Sequence, residues 1–419
     1  MPILSLAWKS LLNRRLTVGL TVLSIALSVM LLLGVERLRH ETQAGFAATV
    51  SGTDLIVGAR TGSVQLLLYS VFRLGEATNN ISWNSAQTIA GLSAVAWTIP
   101  ISLGDSHRGF RVMGTTKAYF DHFHYGDERL LAMADGRAFD GVFEAVIGAR
   151  VARALGYSVG QEIIIAHGAG EVSFVAHDEL PFTIVGILEP TGTPVDQTVH
   201  VSLAGIEAIH IGWESGAPQP GATVTKAEAM QQDLTPSAVT ALLVGLNSRM
   251  QTFFVQRAIN TYRGEPLLAI LPGVALDQLW RVIGGAHQAL LLVSGFVVVV
   301  GLFGMVGALV TSVSARRREM AILRAVGAGP RHIFALVVGE ASLLTLVGSL
   351  LGLALVYLAL ALAQPIIAAE LGLLIEIGPP GGSDLMLLGV VLGAGIVAGL
   401  IPGYLAYRQS VADGMTVRL

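Results

Sequence analysis

A cluster of charged side chains lies in a stretch of 23 residues, Thr311 to Ile333, with the sequence TSVSARRREMAILRAVGAGPRHI. The cluster contains five arginines and one glutamate: Arg316, Arg317, Arg318, Arg324, Arg331 and Glu319. Apolar runs of membrane-crossing length precede and follow it, so the stretch is expected to join two membrane helices. Basic residues in short loops remain on the side from which a chain is inserted, and this predicts a cytoplasmic elbow.

The elbow also has the pattern of a short amphipathic helix between Ser314 and Val326. Met320, Leu323 and Val326 recur at three-residue spacing with Ile322 beside them, which predicts one apolar stripe. The sequence Gly-Ala-Gly-Pro follows. Glycine tolerates the left-handed conformation of a helix end and proline cannot continue a helix, so we expect the helix to stop there.

Two interpretations fit this helix. In the first, it is an interfacial helix that arginines hold at the membrane surface. In the second, residues 314–332 form a coupling helix whose apolar ridge enters a groove on a cytoplasmic partner, while the charged side chains fix its register. The second interpretation assigns ten residues to the contact: Arg316, Arg317, Arg318, Glu319, Met320, Ile322, Leu323, Arg324, Val326 and Gly327.

The run R-R-R-E-M-A-I-L-R-A-V-G-A resembles the signature of MacB/FtsX/LolC-type ABC transporter permeases, the type VII or mechanotransmission class. In that family the corresponding segment is the coupling helix that grips a separate ATPase. The resemblance therefore implies that the elbow of this chain binds a cytoplasmic ABC ATPase dimer, and it favours the second interpretation.

The composition fits a membrane protein that also carries a folded domain outside the bilayer. The chain has 419 residues, of which 53% are hydrophobic and 13% charged, whereas a soluble protein has roughly 25% charged residues. The basic residues concentrate at expected cytoplasmic ends, so nucleic acid is not an expected partner. No G-x-x-x-x-G-K-[ST] sequence occurs, so we expect no cofactor in this chain, with ATP and Mg bound by the partner ATPase.

The expected fold is an α-helical membrane protein with four transmembrane helices and a large α+β periplasmic domain between the first and second. The predicted segments are an amphipathic N-terminal helix (1–15), first membrane helix (16–35), stalk (36–53), α+β domain (54–274) with a loop at 212–237, second stalk (275–288), second membrane helix (289–313), coupling helix (314–332), third membrane helix (333–363), periplasmic loop (364–384), fourth membrane helix (385–407) and cytoplasmic tail (408–419).

The first apolar run, Leu16 to Val35, also has a signal peptide as a competing interpretation. The run is longer than the 7–15 residues of a signal h-region, and no A-x-A cleavage site precedes Glu36. We therefore expect an uncleaved membrane helix. The opening sequence LAWKSLLNRRLTVGLTVLSIALSV also resembles the N-terminus of the permease family.

The domain between the first two membrane helices carries glycine-broken, β-rich runs: EAVIGARVARALG, VGQEIIIAHG, FTIVGIL and QTVHVSL. In this order they resemble the MacB-type periplasmic core. An apolar patch from Val64 to Phe72 is too short to span a membrane and is either a core helix or a re-entrant or lipid-facing segment. The sequence D-L-I-V-G-A resembles a subgroup of these permeases that is linked to export or metal-handling operons.

Within the membrane helices, one acidic residue and three pairs of small residues stand out. Glu340 lies inside the third apolar run, where it either forms a proton or substrate site or bonds the neighbouring elbow and its arginines. Resemblance to the family's third-span pattern implies the architectural role. Glycines four residues apart predict close helix packing: Gly348 and Gly352, Gly389 and Gly393, Gly395 and Gly399.

Histidines form the only other sequence pattern that could bind a ligand or carry out chemistry. If His122 and His124 lay on one strand, their side chains would share a face, since side chains alternate along a strand. Two histidines on one face can begin a zinc or copper site, and unliganded surface histidines are the alternative.

The function expected from these features and the resemblance is that of an ABC transporter permease without catalytic activity of its own. It would export or extract a lipidic, peptide or small amphipathic cargo from the bacterial inner membrane, with both termini cytoplasmic. Expected partners are the ATPase dimer, a second permease copy (as a homodimer) or a paralogue, membrane lipids, and a periplasmic adaptor or carrier. An FtsX-like regulator of a periplasmic hydrolase and a metal-handling exporter are the alternatives.

Overall fold

The computed structural model describes residues 15–167, 179–212, 224–370 and 378–408. The predicted amphipathic helix at 1–15 and the cytoplasmic tail lie outside these ranges, apart from Arg15 and Arg408. The described α-helices are α1 (Arg15–Thr49), α2 (Ser63–Ser70), α3 (Trp83–Ala90), α4 (Ala118–His122), α5 (Ala149–Leu155), α6 (Leu203–Ile209), α7 (Lys226–Ala229), α8 (Thr252–Asn260), α9 (Pro272–Ala315), α10 (Arg317–Ala325), α11 (Pro330–Glu370) and α12 (Gly382–Arg408).

The described strands are β1 (Leu55–Ala59), β2 (Ile81–Ser82), β3 (Val95–His107), β4 (Phe110–Thr115), β5 (His124–Tyr125), β6 (Arg129–Leu130), β7 (Met133–Gly136), β8 (Glu144–Ile147), β9 (Glu162–Ile163), β10 (Ala166–His167), β11 (Phe182–Leu188), β12 (Thr198–Ser202), β13 (Ala238–Val239), β14 (Ala241–Leu246) and β15 (Leu267–Ile270). The chain forms two compact units. One holds the described residues up to 41, 284–365 and 378–408; the other holds 42–283 with the last turn of α11.

Four helices, α1, α9, α11 and α12, are long and apolar enough to cross a membrane, as the sequence predicted. The predicted boundaries between membrane helices and stalks do not break the helices, because α1 continues to Thr49 and α9 begins at Pro272. The third membrane helix was predicted to end at residue 363, but α11 continues through Pro365 to Glu370. An internal proline removes one backbone hydrogen bond, which a long apolar helix tolerates.

The helical unit has an apolar core drawn from all four long helices: Ile25, Val29, Leu32 and Leu33 from α1; Val298, Leu302, Met305 and Leu309 from α9; Ala341, Leu344 and Val356 from α11; and Val391 from α12. Other large apolar side chains of these helices, such as Phe296 and Phe303, are exposed on the outer surface. Apolar side chains on both faces are what a lipid environment requires of a spanning helix.

Glycines bring three of these helices into close contact. A Cβ atom on Gly352 would lie 2.7 Å from the carbonyl oxygen of Ala26. The backbones of α11 and α1 are therefore in close contact at this point. The Gly348 position is similarly close to Ile25. Gly395 and Gly399 of α12 lie against the side chains of Thr345 and Ala341 of α11. In contrast, a Cβ atom on Gly389 or Gly393 would meet no atom within 4 Å among the described residues. A single copy of the chain therefore shows no packing role for this pair.

We expect Gly352→Leu to lower the free energy of unfolding of the full-length protein by about 1–3 kcal/mol, because the new side chain must push α1 away. Gly389→Leu is the matched control, since its Cβ meets open space. Thermal unfolding in detergent would compare the two variants. Equal unfolding temperatures for both would contradict the close α1–α11 contact.

The second unit is an α+β domain built on one large mixed sheet, with the strand order β15-β1-β14-β3-β4-β12-β8-β11-β7. Most neighbours are antiparallel, whereas β4 with β12 and β8 with β11 are parallel. The four predicted β-rich runs correspond to β8 with α5, β9 with β10, β11, and β12. Burial alternates along β11, which places one of its faces in the core.

The apolar patch from Val64 to Phe72 forms α2, and Leu66 and Leu67 are fully buried. The core-helix interpretation of this patch is therefore correct and the re-entrant one is wrong. Of the predicted loop at 212–237, the described part contains the one-turn helix α7, which begins with a capping box between Thr225 and Glu228. Residues 213–223 of that loop, and 371–377 of the predicted periplasmic loop, lie outside the described residues.

Candidate docking site at the elbow

The elbow, residues 316–329, connects α9 to α11 and contains α10. The predicted coupling segment began at residue 314, but α9 continues through Ala315 and α10 starts at Arg317. Backbone hydrogen bonds close the far end: Gly327 N donates to Arg324 O at 3.1 Å, and Ala328 N donates to Leu323 O at 3.0 Å. Gly327 has φ of 107°, a conformation that favours glycine. The elbow therefore ends in a hydrogen-bonded turn.

The predicted apolar stripe does not form a single surface. Met320 is only 3% exposed and Leu323 is partly buried, because both pack on the ends of α9, α11 and α12. The residues that cover them are Val313, Ile333, Leu336, Val337 and Ala406. Ile322 and Val326 instead are 57% and 84% exposed. The prediction that Met320 belongs to an outward docking ridge is therefore wrong, since its own membrane helices cover it, whereas Leu323 remains partly exposed.

Ile322 and Val326 lie four residues apart and so on the same side of the elbow. Arg317, Arg318 and Glu319 are also exposed. The exposed surface of the elbow thus combines two branched apolar side chains with charges of both signs. Burying such apolar side chains against a partner is favourable, by roughly 1.5–3 kcal/mol for each fully buried residue.

Arg316 joins the elbow to the third membrane helix. Its Nε donates to Glu319 Oε2 at 2.8 Å, and its Nη1 lies 3.5 Å from Glu340 Oε2. The side chains of Arg316 and Glu340 are 10% and 7% exposed, so this second pair is buried. Glu340 therefore lies where the architectural interpretation expects it, beside an arginine of the elbow. Arg324 is partly buried, and its Nη1 has no hydrogen-bond partner among the described residues.

A second charged network, which the sequence reasoning missed, lies in the same helical unit. Arg37 of α1 donates from Nε to Asp384 Oδ2 at 3.0 Å, and from Nη2 to the Tyr357 hydroxyl at 2.7 Å. Its remaining donors reach the carbonyls of Gly378 and Pro379. Arg37 and Asp384 are 6% and 3% exposed. We call this group the Arg37 clasp; it joins α1, α11 and the start of α12.

The sequence does contain a signal for this clasp. Charges of opposite sign occur at the edges of two predicted membrane helices, and buried charges in such segments normally pair. Ala406, at the other end of α12, packs beside Met320 of the elbow. With 1.5 Å of rise per residue, the 22 residues from Asp384 to Ala406 span about 33 Å. The bundle is therefore joined by buried ion pairs at both of its ends.

The two histidines do not form the predicted two-histidine face. His122 is the last residue of α4, whereas His124 begins β5, so the strand on which the prediction rested does not exist. The ring of His122 stacks on Trp97 with centroids 5.5 Å apart, and His124 Nδ1 lies 2.8 Å from the backbone oxygen of His122. Across the described ranges, no group of three or more metal-ligating side chains could hold an ion.

Four membrane-crossing helices, with one α+β domain inserted between the first and second, define a multi-pass membrane protein with a single large extramembrane domain. The family model described as the MacB-like periplasmic core domain matches residues 18–252, and that of the FtsX-like permease C-terminal region matches residues 291–411. The chain belongs to this family of ABC transporter permeases. Permeases of the family are generally non-catalytic subunits that work with an ABC ATPase.

Two solved structures are similar to parts of the chain. The periplasmic region of MacB from Actinobacillus actinomycetemcomitans is 10% identical, with a TM-score of 0.35, over 56% of this chain and 97% of that one. The extracellular domain of the noncanonic ABC-type transporter YknZ from Gram-positive bacteria is 13% identical, with a TM-score of 0.31, over 52% of this chain and 99% of that one. Among curated proteins, none matches this chain.

Proposed function

We propose that this chain is the permease subunit of an ABC transporter and that its ATPase docks on the exposed surface of the elbow. The observation that carries this proposal is the division of α10 into two sides. Met320 holds the helix on its own bundle, whereas Ile322 and Val326 are exposed beside charged residues. A helix held firmly on one side and apolar on the other is suited to receive force from a bound partner.

The buried contacts of the elbow explain how force would pass into the membrane helices. A push on α10 acts directly on α9 and α11, because Met320 packs against Val313 and Ile333 and because Arg316 contacts Glu340. Close-packed interiors transmit displacement instead of absorbing it. We infer that α9 and α11 move together with the elbow.

Two unbroken helices connect the bundle to the α+β domain. The chain leaves the bundle along α1 and returns along α9, a helix of 44 residues that is about 66 Å long. Within the α+β unit, the ring of Phe46 on α1 meets Trp280 of α9 with centroids 5.5 Å apart, and it also meets Phe72. These contacts support a mechanism in which both helices displace the α+β domain together.

In this proposal the arginines of the elbow lie on the cytoplasmic side of the bacterial inner membrane, together with both termini, and the α+β domain is periplasmic. ATP binding closes two ATPase subunits, so the working complex contains two permease copies, identical or paralogous. Work is delivered to a lipidic, peptide or small amphipathic cargo outside the membrane, with a periplasmic adaptor or carrier as a further partner.

The charge of the elbow offers a direct test. We expect Glu319→Lys to leave the protein folded and inserted but to reduce co-purification of the ATPase by at least tenfold. Glu319 is 65% exposed, and an exposed ion pair contributes about 0.2–1 kcal/mol to stability, so the fold should persist. The reversed charge leaves an entirely basic helix surface, which a partner complementary to Glu319 would repel.

Asp277→Lys is the matched control, because Asp277 forms a similarly exposed ion pair with Arg281 on α9. Co-purification with the ATPase, measured from membranes that contain equal amounts of each variant, should fall for Glu319→Lys alone. Undiminished recovery with Glu319→Lys would remove Glu319 from the docking surface.

A further inference from the structure

We propose that a cavity in the α+β domain binds a small oxyanion, either a phosphate-bearing or a carboxylate-bearing molecule. The cavity has a volume of about 330 Å³, which lies at the lower end of the range for small-molecule sites. Its lining includes Tyr69, Arg73, Gly75, Glu76, Leu103 and Arg111. This inference concerns a site in the domain itself and does not depend on the ATPase.

The cavity lies where two irregular pieces of backbone meet. One is the segment that follows α2, in which Arg73 has φ of 59°. The other is a bulge in β3, where its pairing with β4 shifts between Leu103 and Ser106. Non-glycine residues in the left-handed conformation and bulges in a sheet both cluster at functional sites.

Arg73 is the strongest indication of an anionic ligand. Its Nε and Nη1 atoms are buried and have no hydrogen-bond partner among the described residues, and Nη2 donates to the Sδ of Met113, a weak acceptor. The hydroxyl of Tyr119 also interacts with this guanidinium, and burial lowers the pKa of Arg73. Among the described residues, no carboxylate forms an ion pair with this guanidinium.

A buried cation without a counter-ion is costly, and proteins normally pair such charges. The neighbouring His200 is fully buried, and burial together with the charge of Arg73 lowers its pKa to about 3. His200 is therefore neutral at physiological pH and adds no second charge to the core. An oxyanion in the cavity would supply the negative charge that the surrounding protein does not give to Arg73.

Arg111 provides a second cation at the rim. Its Nη2 donates to the carbonyl oxygen of Gly75 at 3.3 Å, which ties the segment after α2 to β4. Arginine presents several donors in one plane and binds carboxylates and phosphates by two hydrogen bonds at once. Glu76 is the only carboxylate among the described lining residues, so the two arginines give this lining a positive charge.

The test uses the full-length protein in detergent, with inorganic phosphate and succinate as separate probes in isothermal titration. We expect saturable binding of at least one probe with a Kd below about 1 mM. Arg73→Met and Arg111→Gln should each weaken that binding at least tenfold. Arg129→Gln, which changes an exposed arginine of β6 outside the cavity, should leave it unchanged. The probe that binds distinguishes a phosphate-bearing from a carboxylate-bearing ligand.

Stability in anion-free buffer gives a second readout, because Arg73→Met removes an uncompensated buried charge. The variant should unfold at the same temperature as the wild type or at a higher one, and it should lose the stabilisation that the binding probe gives. The proposal is overturned if neither probe binds the wild type. It is also overturned if Arg73→Met binds the probe as tightly as the wild type does, or unfolds at a lower temperature in anion-free buffer.

Discussion

Replacing Arg37 by methionine is expected to lower the free energy of unfolding of the helical unit by about 3–5 kcal/mol. The substitution leaves Asp384 in place, 3% exposed and without the guanidinium that now neutralises it. Tyr357 and the carbonyl oxygen of Pro379 lose the donor that Arg37 supplies, and the carbonyl oxygen of Gly378 keeps only the Tyr357 hydroxyl. An uncompensated carboxylate at this position costs far more than the loss of one exposed ion pair.

The double variant Arg37→Met with Asp384→Leu separates the cost of an orphaned charge from the net value of the pair. Buried ion pairs are often replaceable by apolar residues with little loss. We therefore expect the double variant to recover most of the stability that Arg37→Met loses. Unfolding in mixed micelles would be followed by helical circular dichroism for the wild type, both single variants and the double variant.

Arg281→Met is the matched control, because Arg281 pairs with Asp277 at an exposed position of α9. Its effect should stay within about 1 kcal/mol. If Arg37→Met were as mild as this control, the Arg37 clasp would not hold α1, α11 and α12 together as the structure describes.

The second large effect is expected at the exposed surface of the elbow. Val326→Asp should reduce ATPase binding by at least a hundredfold, because a partner that buries this position would have to bury an unpaired carboxylate. Val326 is 84% exposed in this chain, so the substitution should not disturb the fold. Affinity would be measured between purified permease in nanodiscs and the purified ATPase.

Met250→Asp is the corresponding control. Met250 is 93% exposed and belongs to the α+β domain, so it tests whether a new charge on an exposed apolar residue is harmful in itself. Binding by Met250→Asp should equal that of the wild type. A Val326→Asp variant that binds the ATPase normally would place the docking surface elsewhere.

The membrane helices were predictable because local composition decides them. A run of about 20 consecutive apolar residues is more stable as a membrane helix than in a soluble fold. The arginines of the elbow mark where two such runs end. The core character of α2 could also be predicted, since its apolar patch is too short to span a bilayer. Family resemblance was equally local, because it rested on continuous runs of residues, above all the run between Arg316 and Ala328.

What could not be predicted depends on contacts between distant parts of the chain. Arg37 and Asp384 are 347 positions apart, and no local pattern selects one as the partner of the other. Periodicity placed Met320 and Val326 on one stripe, but it could not show that the bundle covers the first and leaves the second exposed. His122 and His124 were misread because α4 ends between them, which removes the alternation of a strand.

Cross-linking at the elbow tests the central claim most directly. The sequence contains no cysteine, so Val326→Cys introduces a single thiol. A short thiol-to-amine cross-linker applied to membranes that contain both proteins should join this variant to the ATPase, whereas Met250→Cys should give no such product. Docking at the elbow would be contradicted if position 326 gave no permease–ATPase product while position 250 did give one.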